Sequence, residues 1–149
     1  MMKQGRRKRV LVVDDNRDAA DTLVMLLQAE GCDAEAAYGG DQALSMAERT
    51  CPDVVVIDLF MPMMSGDELA RRLRAGPRGD DMVLVAHTAM SSGLHHEAIV
   101  DAGFDHHLVK PAALDDLLAL AADDPGALPA LSGHSSPRWQ RAQHSGHTA

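Results

Sequence analysis

Three short stretches of this chain are apolar at every position, and each is followed by a longer amphipathic stretch. They are VLVV at residues 10–13, VVVI at 54–57 and VLVA at 83–86. A strand with one solvated face alternates apolar and polar residues, whereas a run that is apolar throughout is typical of a strand buried on both faces. The pattern therefore predicts a parallel β-sheet with helices packed on both of its sides.

Helix and turn signals between these runs complete an alternating series of strands and helices. Asn16 is placed as the N-cap of a first helix that ends at Gly31, and Ser65 with Glu68 forms a capping-box pattern for a helix that ends near Ala75. Crossovers of this length are right-handed and return the chain parallel to the preceding strand. The predicted fold class is α/β, with a five-stranded parallel sheet and five helices. In order, the elements are strand 9–15, helix 16–31, strand 33–37, helix 41–49, strand 53–58, helix 65–75, strand 82–86, helix 91–103, strand 106–109 and helix 113–122.

Composition and charge favour one folded domain between two polar ends. With 149 residues, 46% of them hydrophobic, the chain can bury a single core. We predict a basic N-terminal arm at 1–8, the domain at 9–122 and a disordered tail at 123–149, rich in Pro, Gly, Ser and His. The net charge of −8 disfavours nucleic acid as a partner, and a DNA-binding role would depend on the short arm alone.

The sequence also indicates a cytoplasmic protein. No run of apolar residues is long enough to span a membrane, so no membrane partner is expected, and the basic start is not followed by the apolar core of a secretion signal. The two cysteines, Cys32 and Cys51, have no metal-ligand spacing and fit a reducing compartment.

Chemically active side chains stand where the predicted strands end. Asp14 and Asp15 end the first strand, Asp58 ends the third, and Thr88 and Lys110 follow the fourth and fifth. In an open parallel sheet, ligands bind outside the carboxyl ends of the strands. An Asp-Asp pair alone is usually a solvated turn or helix cap, but recurrence of such residues at matching strand ends favours a functional site.

These residue types suit phosphoryl transfer to a carboxylate. Adjacent carboxylates with a third across the cleft are ligands for Mg²⁺, a hard cation that takes oxygen donors. A carboxylate can itself be the nucleophile and form an aspartyl phosphate, while a lysine and a hydroxyl stabilise the phosphoryl oxygens. The site offers no thiolate and imidazole set for zinc, and the chain has no G-x-x-x-x-G-K-[ST] phosphate loop.

Four motifs, VLVVDDN, VVVIDLFMPMMSG, AHTA and VKP, together resemble the response-regulator receiver domain of two-component signalling, as in chemotaxis regulators, across about residues 8–122. The resemblance implies a flavodoxin-like three-layer sandwich with strand order 2-1-3-4-5. It implies Asp58 as the phosphoacceptor, and Thr88 and Lys110 as the groups that bind the phosphoryl group. The implied Mg²⁺ ligands are Asp15, Asp58 and the main-chain carbonyl of Phe60, with Asp14 behind them.

Details of the motifs lead to three further expectations. The switch position, three residues before the lysine and usually Tyr or Phe in the family, is His107, which can also gain charge near neutral pH. The family's Lys-Pro bond is typically cis, which we expect for Lys110 and Pro111. Phe60 and Met90, two residues beyond Asp58 and Thr88, are expected to shield the acyl phosphate from water.

The resulting functional prediction is a phosphorylation-controlled receiver that is not an enzyme beyond catalysing its own phosphorylation and dephosphorylation. Its implied partners are a sensor histidine kinase or histidine phosphotransfer protein and an unidentified downstream protein, and a phosphorylation-dependent homodimer is compatible with the resemblance. Two alternatives stay open: a receiver module detached from a hybrid histidine kinase, and a Mg²⁺-dependent phosphatase with Asp58 as nucleophile. The phosphatase reading wants a second acid two residues beyond the nucleophile, where Phe60 stands.

Overall fold

A computed structural model describes residues 7–89, 96–111 and 113–121, in which five strands alternate with five helices. The fold class predicted from the sequence is confirmed. In chain order the elements are β1 (Arg9–Val13), α1 (Arg17–Ala29), β2 (Asp33–Ala37), α2 (Gly40–Thr50), β3 (Val54–Ile57), α3 (Gly66–Ala75), β4 (Val83–Thr88), α4 (His96–Ala102), β5 (His106–Val109) and α5 (Leu114–Ala121).

The strands form one parallel sheet in the order β2-β1-β3-β4-β5, as the family resemblance implies. The order reverses between β1 and β3, where β1 pairs with β2 on one side and with β3 on the other. The crevice at such a reversal is the usual ligand site of an open parallel sheet. The carboxyl ends of β1 and β3 flank it here.

The two faces of the sheet bury separate apolar cores. Because successive strand residues point to opposite faces, Leu11 and Val13 of β1 pack towards α2, α3 and α4, and Val10 and Val12 pack towards α1 and α5. All four residues are at most 2% exposed. Continuous apolar runs in the sequence thus correspond to strands covered on both sides.

Helix ends follow the predicted capping signals. The Asn16 side chain accepts a hydrogen bond from the Ala19 N–H at 3.1 Å, and the Ser65 hydroxyl accepts one from the Glu68 N–H at 3.4 Å. Gly31, just beyond α1, has a φ of 96°, a conformation that glycine adopts without the strain of a side chain. These contacts satisfy main-chain groups that a helix leaves unpaired at its ends.

Strand bounds differ from the prediction at the carboxyl edge. β1 ends at Val13 and β3 at Ile57, so the acidic residues follow the strands instead of ending them. β4 continues two residues beyond the prediction to Thr88, because β5 runs beside it and pairs Thr88 with Val109. The predicted start of the fourth helix, at 91–95, lies outside the described residues.

At the amino edge of the sheet, a partly buried arginine joins three segments. Arg74 of α3 donates hydrogen bonds to the carbonyls of Gly79, Met82 and Gly103, and its Nη2 lies 2.7 Å from an Asp105 carboxylate oxygen. The same Asp105 oxygen accepts a hydrogen bond from the Leu84 N–H at 2.9 Å. The network links the end of α3 to the starts of β4 and β5.

None of the helices in the described part of the chain has the length and apolar character needed to cross a bilayer. The predicted arm at 1–8 and tail at 123–149 fall mostly outside the described residues, so the domain boundaries stay predictions.

Candidate functional site

The predicted site residues converge at the carboxyl edge of the sheet. Main-chain pairing continues one residue past the strands and fixes them there: the Asp58 N–H donates to the Val13 carbonyl at 2.9 Å, and the Lys110 N–H donates to the Thr88 carbonyl at 2.8 Å. The register of the strands therefore fixes the positions of Asp58 and Lys110 at the same edge of the sheet.

Three carboxylates form a cluster in the crevice between β1 and β3. One oxygen from each of Asp14, Asp15 and Asp58 can be chosen so that all lie within 4.8 Å of one another. Asp14 and Asp58 are buried, at 4% and 8% exposure, whereas Asp15 faces solvent. The cluster is an all-oxygen donor set open on one side, which fits a hard divalent cation such as Mg²⁺.

Lys110 reaches this cluster from β5 and binds its deepest acid. Its Nζ donates to Asp14 Oδ2 at 2.7 Å and lies 3.6 Å from Asp58 Oδ2. The peptide bond from Lys110 to Pro111 is cis, as expected. One ammonium thus balances three carboxylates only in part.

Burial governs the ionisation of Asp58. Removal from water raises the pKa of the Asp58 carboxyl group, the Lys110 ammonium lowers it, and the negative charge of Asp14 raises it again. A weak hydrogen bond from the Phe60 N–H to Asp58 Oδ1, at 3.3 Å, also favours the ionised form. The net direction is upward, so the folded protein disfavours the Asp58 carboxylate. Repulsion from the Asp14 charge adds to the rise in this pKa, but burial is the larger cause.

The loop after Asp58 is held close to β3 by a glycine. The Gly66 N–H donates to the Leu59 carbonyl at 2.9 Å, and a methyl group at Gly66 would overlap the Asp58 carbonyl oxygen. Helix α3 can therefore begin directly against the segment that carries Asp58. Phe60 and Met63, on the same loop, are 51% and 102% exposed.

Thr88 and His107 lie on the neighbouring strands β4 and β5. Thr88 ends β4 and is 1% exposed, and His107 is half-buried on β5 opposite Ala86. Of the pair predicted to shield the site, Phe60 is half exposed and Met90 lies outside the described residues. Shielding stays a prediction.

His87, next to Thr88, was not singled out by the sequence. Burial and the nearby Lys110 ammonium lower the pKa of His87 to about 4. Within the ranges described, its Nε2 is buried and has no hydrogen-bond partner. The imidazole is therefore neutral at neutral pH. The sequence feature that could have drawn attention to His87 is its place in an otherwise apolar strand.

A second group that sequence reasoning missed joins the start of α1 to Tyr38, the residue that follows β2. The Arg17 guanidinium carbon is 4.2 Å from the centroid of the Tyr38 ring, and the Tyr38 hydroxyl donates to Asp21 Oδ1 at 2.6 Å. Periodicity places Arg17 and Asp21 on one helix face but says nothing about a contact with β2.

Comparison with known proteins gives consistent matches. A family model described as a response regulator receiver domain matches residues 10–122. The response regulators MprA of Mycobacterium avium (strain 104) and Mycobacterium tuberculosis are each 41% identical over 111 residues, or 74% of this chain, and the match covers 48% and 47% of those proteins. The chain spans about half the length of the curated relatives it matches.

Solved structures agree in fold. The receiver domain of the Francisella response regulator 1452 has 29% identity and a TM-score of 0.67, covering 74% of this chain and 90% of that one. The chemotaxis response regulator CheY4 of Vibrio cholerae has 28% identity and a TM-score of 0.71, covering 76% of this chain and 94% of that one.

Proposed function

Because the chain belongs to the response-regulator receiver family of two-component signalling, we propose that it accepts a phosphoryl group on Asp58 from a phosphohistidine. The donor would be a sensor histidine kinase or a histidine phosphotransfer protein, the partners with which receiver domains interact. The observation that carries the proposal is the convergence of Asp14, Asp15 and Asp58 with Lys110 at one edge of the sheet.

Asp58 is the proposed nucleophile. One of its carboxylate oxygens forms a bond to phosphorus, and the bond from phosphorus to the donor's imidazole nitrogen breaks. The electron pair of that bond stays on the imidazole, which takes up a proton from solvent. Asp58 directly follows β3, at the carboxyl edge of the sheet. A donor would approach from the solvent side of the crevice, where Asp15 is exposed.

Receiver domains bind Mg²⁺ at an acidic cluster, and the donor set of this chain fits that ion. Asp15, Asp58 and the main-chain carbonyl of Phe60 would hold it, with Asp14 behind them. When bound, the ion supplies positive charge that neutralises carboxylates and phosphoryl oxygens. No histidine or cysteine joins this cluster within the described residues.

Lys110 and Thr88 are the proposed partners of the transferred group. The lysine ammonium already lies 3.6 Å from Asp58 and would form an ion pair with the phosphoryl oxygens. The Thr88 hydroxyl, at the end of β4, would donate a hydrogen bond to them. Movement of Thr88 towards the phosphoryl group, with His107 on the adjacent strand, is the proposed switch.

The output follows from the conformational change. The phosphorylated form would bind a downstream protein or a second copy of this chain, or pass the phosphoryl group on in a relay. Receiver domains are generally not classical enzymes, and we propose that this one catalyses only its own phosphorylation and dephosphorylation. A phosphatase acting on external phosphoesters is less well supported, since Phe60 offers no proton where that chemistry wants a second acid.

The test is incorporation of one phosphoryl group from acetyl phosphate in the presence of Mg²⁺, read by intact mass. Wild type should gain one phosphoryl group, and Asp58→Asn or EDTA should abolish the gain. Asp67→Asn, which alters an exposed ion pair on α3, is the matched control and should label as wild type. Equal labelling of Asp58→Asn would refute the assignment.

A further inference from the structure

We propose that Arg17 is a recognition residue for the phosphoryl donor: its guanidinium, held over the Tyr38 ring two residues after Asp15, attracts the donor's phosphoryl group before transfer. The inference rests on the proposed function, because it concerns how the donor reaches Asp58. It adds a recognition residue at the start of α1, separate from Thr88 and Lys110, which would stabilise the phosphoryl group once it arrives.

The position of Arg17 follows from the chain path. Arg17 is the first residue of α1 and comes two residues after Asp15. Tyr38 comes directly after β2, whose last residue, Ala37, accepts a hydrogen bond from the Asp14 N–H at 3.1 Å. The stacked pair therefore joins the loop that carries two acids of the cluster to the loop beside it.

Tyr38 is a fixed platform. Its N–H donates to Gln42 Oε1 at 2.9 Å, its hydroxyl donates to Asp21 Oδ1 at 2.6 Å, and its ring packs against the core beneath α1. An exposed arginine normally loses considerable rotamer freedom when it binds a ligand. A guanidinium already placed over a fixed ring at 4.2 Å loses less.

In the described part of the chain, no ion pair neutralises the positive charge of Arg17. Asp21, one helical turn further along α1, is the natural partner for it, yet its carboxylate accepts the Tyr38 hydroxyl. Among the residues that the structure describes, no carboxylate lies within ion-pair distance of the Arg17 guanidinium. By contrast, Arg71 and Arg72, the exposed arginines of α3, are each paired one turn back with Asp67 and Glu68.

The chemistry of the site explains the need for such a charge. A phosphoryl donor is an anion, and it must approach three carboxylates whose one lysine is bound to Asp14. Planar guanidinium groups bind phosphate oxygens through two parallel N–H groups, which suits recognition of the phosphoryl group itself. That group is common to small acyl phosphates and to phosphohistidine.

Two small donors test the inference on the full chain with Mg²⁺. Acetyl phosphate represents acyl phosphates, and phosphoimidazole carries the phosphorus–nitrogen bond of a phosphohistidine. Initial rates of Asp58 phosphorylation, measured against donor concentration, separate the apparent KM from the maximal rate for Arg17→Gln, Arg17→Lys and the control Arg71→Gln. The thermal midpoint and Mg²⁺ binding of each variant report on folding and on the metal site.

We expect Arg17→Gln to raise the apparent KM about threefold for both donors, the effect of one exposed charge, with the maximal rate, folding and Mg²⁺ binding unchanged. Arg17→Lys should recover part of the loss, and Arg71→Gln should behave as wild type. A rise with one donor alone would support the inference and identify that donor's class. An unchanged KM with both donors, an equal rise in Arg71→Gln, or a loss confined to the maximal rate would overturn it. Failure of the wild type to label would refute the proposed function instead.

Discussion

At Asp58, burial and the Lys110 ammonium shift the pKa of the carboxyl group in opposite directions. Burial and the neighbouring Asp14 charge raise its pKa, and Lys110 lowers it without cancelling the rise. Protonated Asp58 is therefore favoured by folding. The stabilising contribution of protonated Asp58 to folding is fully present below the pKa of Asp58 in the unfolded chain. It is lost as pH rises through the pKa of Asp58 in the folded protein. At neutral pH the ionised group destabilises the metal-free protein.

We therefore expect Asp58→Asn to stabilise the metal-free protein at neutral pH by about 1 kcal/mol, the scale of one pKa unit. The gain should shrink as pH falls and wild-type Asp58 becomes protonated. Urea denaturation in EDTA across pH 4 to 8 measures it. Asp67→Asn is a control of opposite sign, since Ser65 and Arg71 lower the pKa of Asp67 and its contribution is lost as pH falls. If Asp58→Asn is less stable than wild type at pH 7, the electrostatic account is wrong.

Between elements, Arg74 links the end of α3 to the starts of β4 and β5 at the amino edge of the sheet. Its side chain is 11% exposed and that of Asp105 is 1% exposed, so neither charge is well solvated. Removing one partner of a buried pair leaves the other charge without compensation. The contrast with Arg72 and Glu68 is direct, because that pair lies half exposed on the same helix.

Arg74→Met should lower the free energy of unfolding by about 3 kcal/mol, because Asp105 would remain buried without its cation. Arg72→Gln should change it by less than about 0.5 kcal/mol. The double variant Arg74→Met with Asp105→Asn should recover part of the loss. Chemical denaturation of wild type and the three variants measures these free energies of unfolding. Equal losses in Arg74→Met and Arg72→Gln would contradict the proposed cost of leaving Asp105 buried without its cation.

How far the sequence predicts these elements depends on the range of the interactions involved. Continuous apolar runs and caps such as Asn16 are local, and they located the strands and the start of α1. The end of β4 at Thr88 was missed because it depends on pairing with β5, and His87 interrupts the apolar run. A hydrogen-bond ladder between distant segments leaves no periodic signal.

The candidate site likewise has features that the local sequence predicts and features that depend on contacts between distant segments. Asp14, Asp58 and Lys110 could be predicted because each follows a strand, and parallel strands align their carboxyl ends. The sequence could not show that Lys110 forms its hydrogen bond with Asp14 instead of Asp58. That choice depends on side-chain rotamers in the folded crevice. The Arg17 contact with Tyr38 joins α1 to the end of β2 and is equally invisible to spacing rules.

At the scale of the whole molecule, the acidic cluster connects the stability of the fold to metal binding. The chain carries a net charge of −8, and its carboxyl edge concentrates three acids in one crevice. A divalent cation that binds only the folded form adds RT ln(1 + [Mg²⁺]/Kd) to stability, or about 2.7 kcal/mol at a hundredfold excess over Kd. Binding of Mg²⁺ at this cluster, as proposed, would therefore stabilise the fold.

Millimolar Mg²⁺ should raise the urea midpoint of wild type relative to EDTA, and Asp15→Asn or Asp58→Asn should reduce that gain. KCl at matched ionic strength is the control, because screening alone also weakens repulsion among the acids. An equal gain in wild type and both variants, or an equal gain from KCl, would show that the three carboxylates do not form a shared metal site.

The ion pair between Lys110 and Asp14 spans 96 positions of the chain. During synthesis from the amino terminus, all three acids emerge before the lysine that balances them. A nascent chain that stops short of β5 contains Asp14 and Asp58 but lacks the Lys110 ammonium that contacts them. If Asp58 is phosphorylated as proposed, the chain would become able to accept a phosphoryl group only once its last strand has joined the sheet.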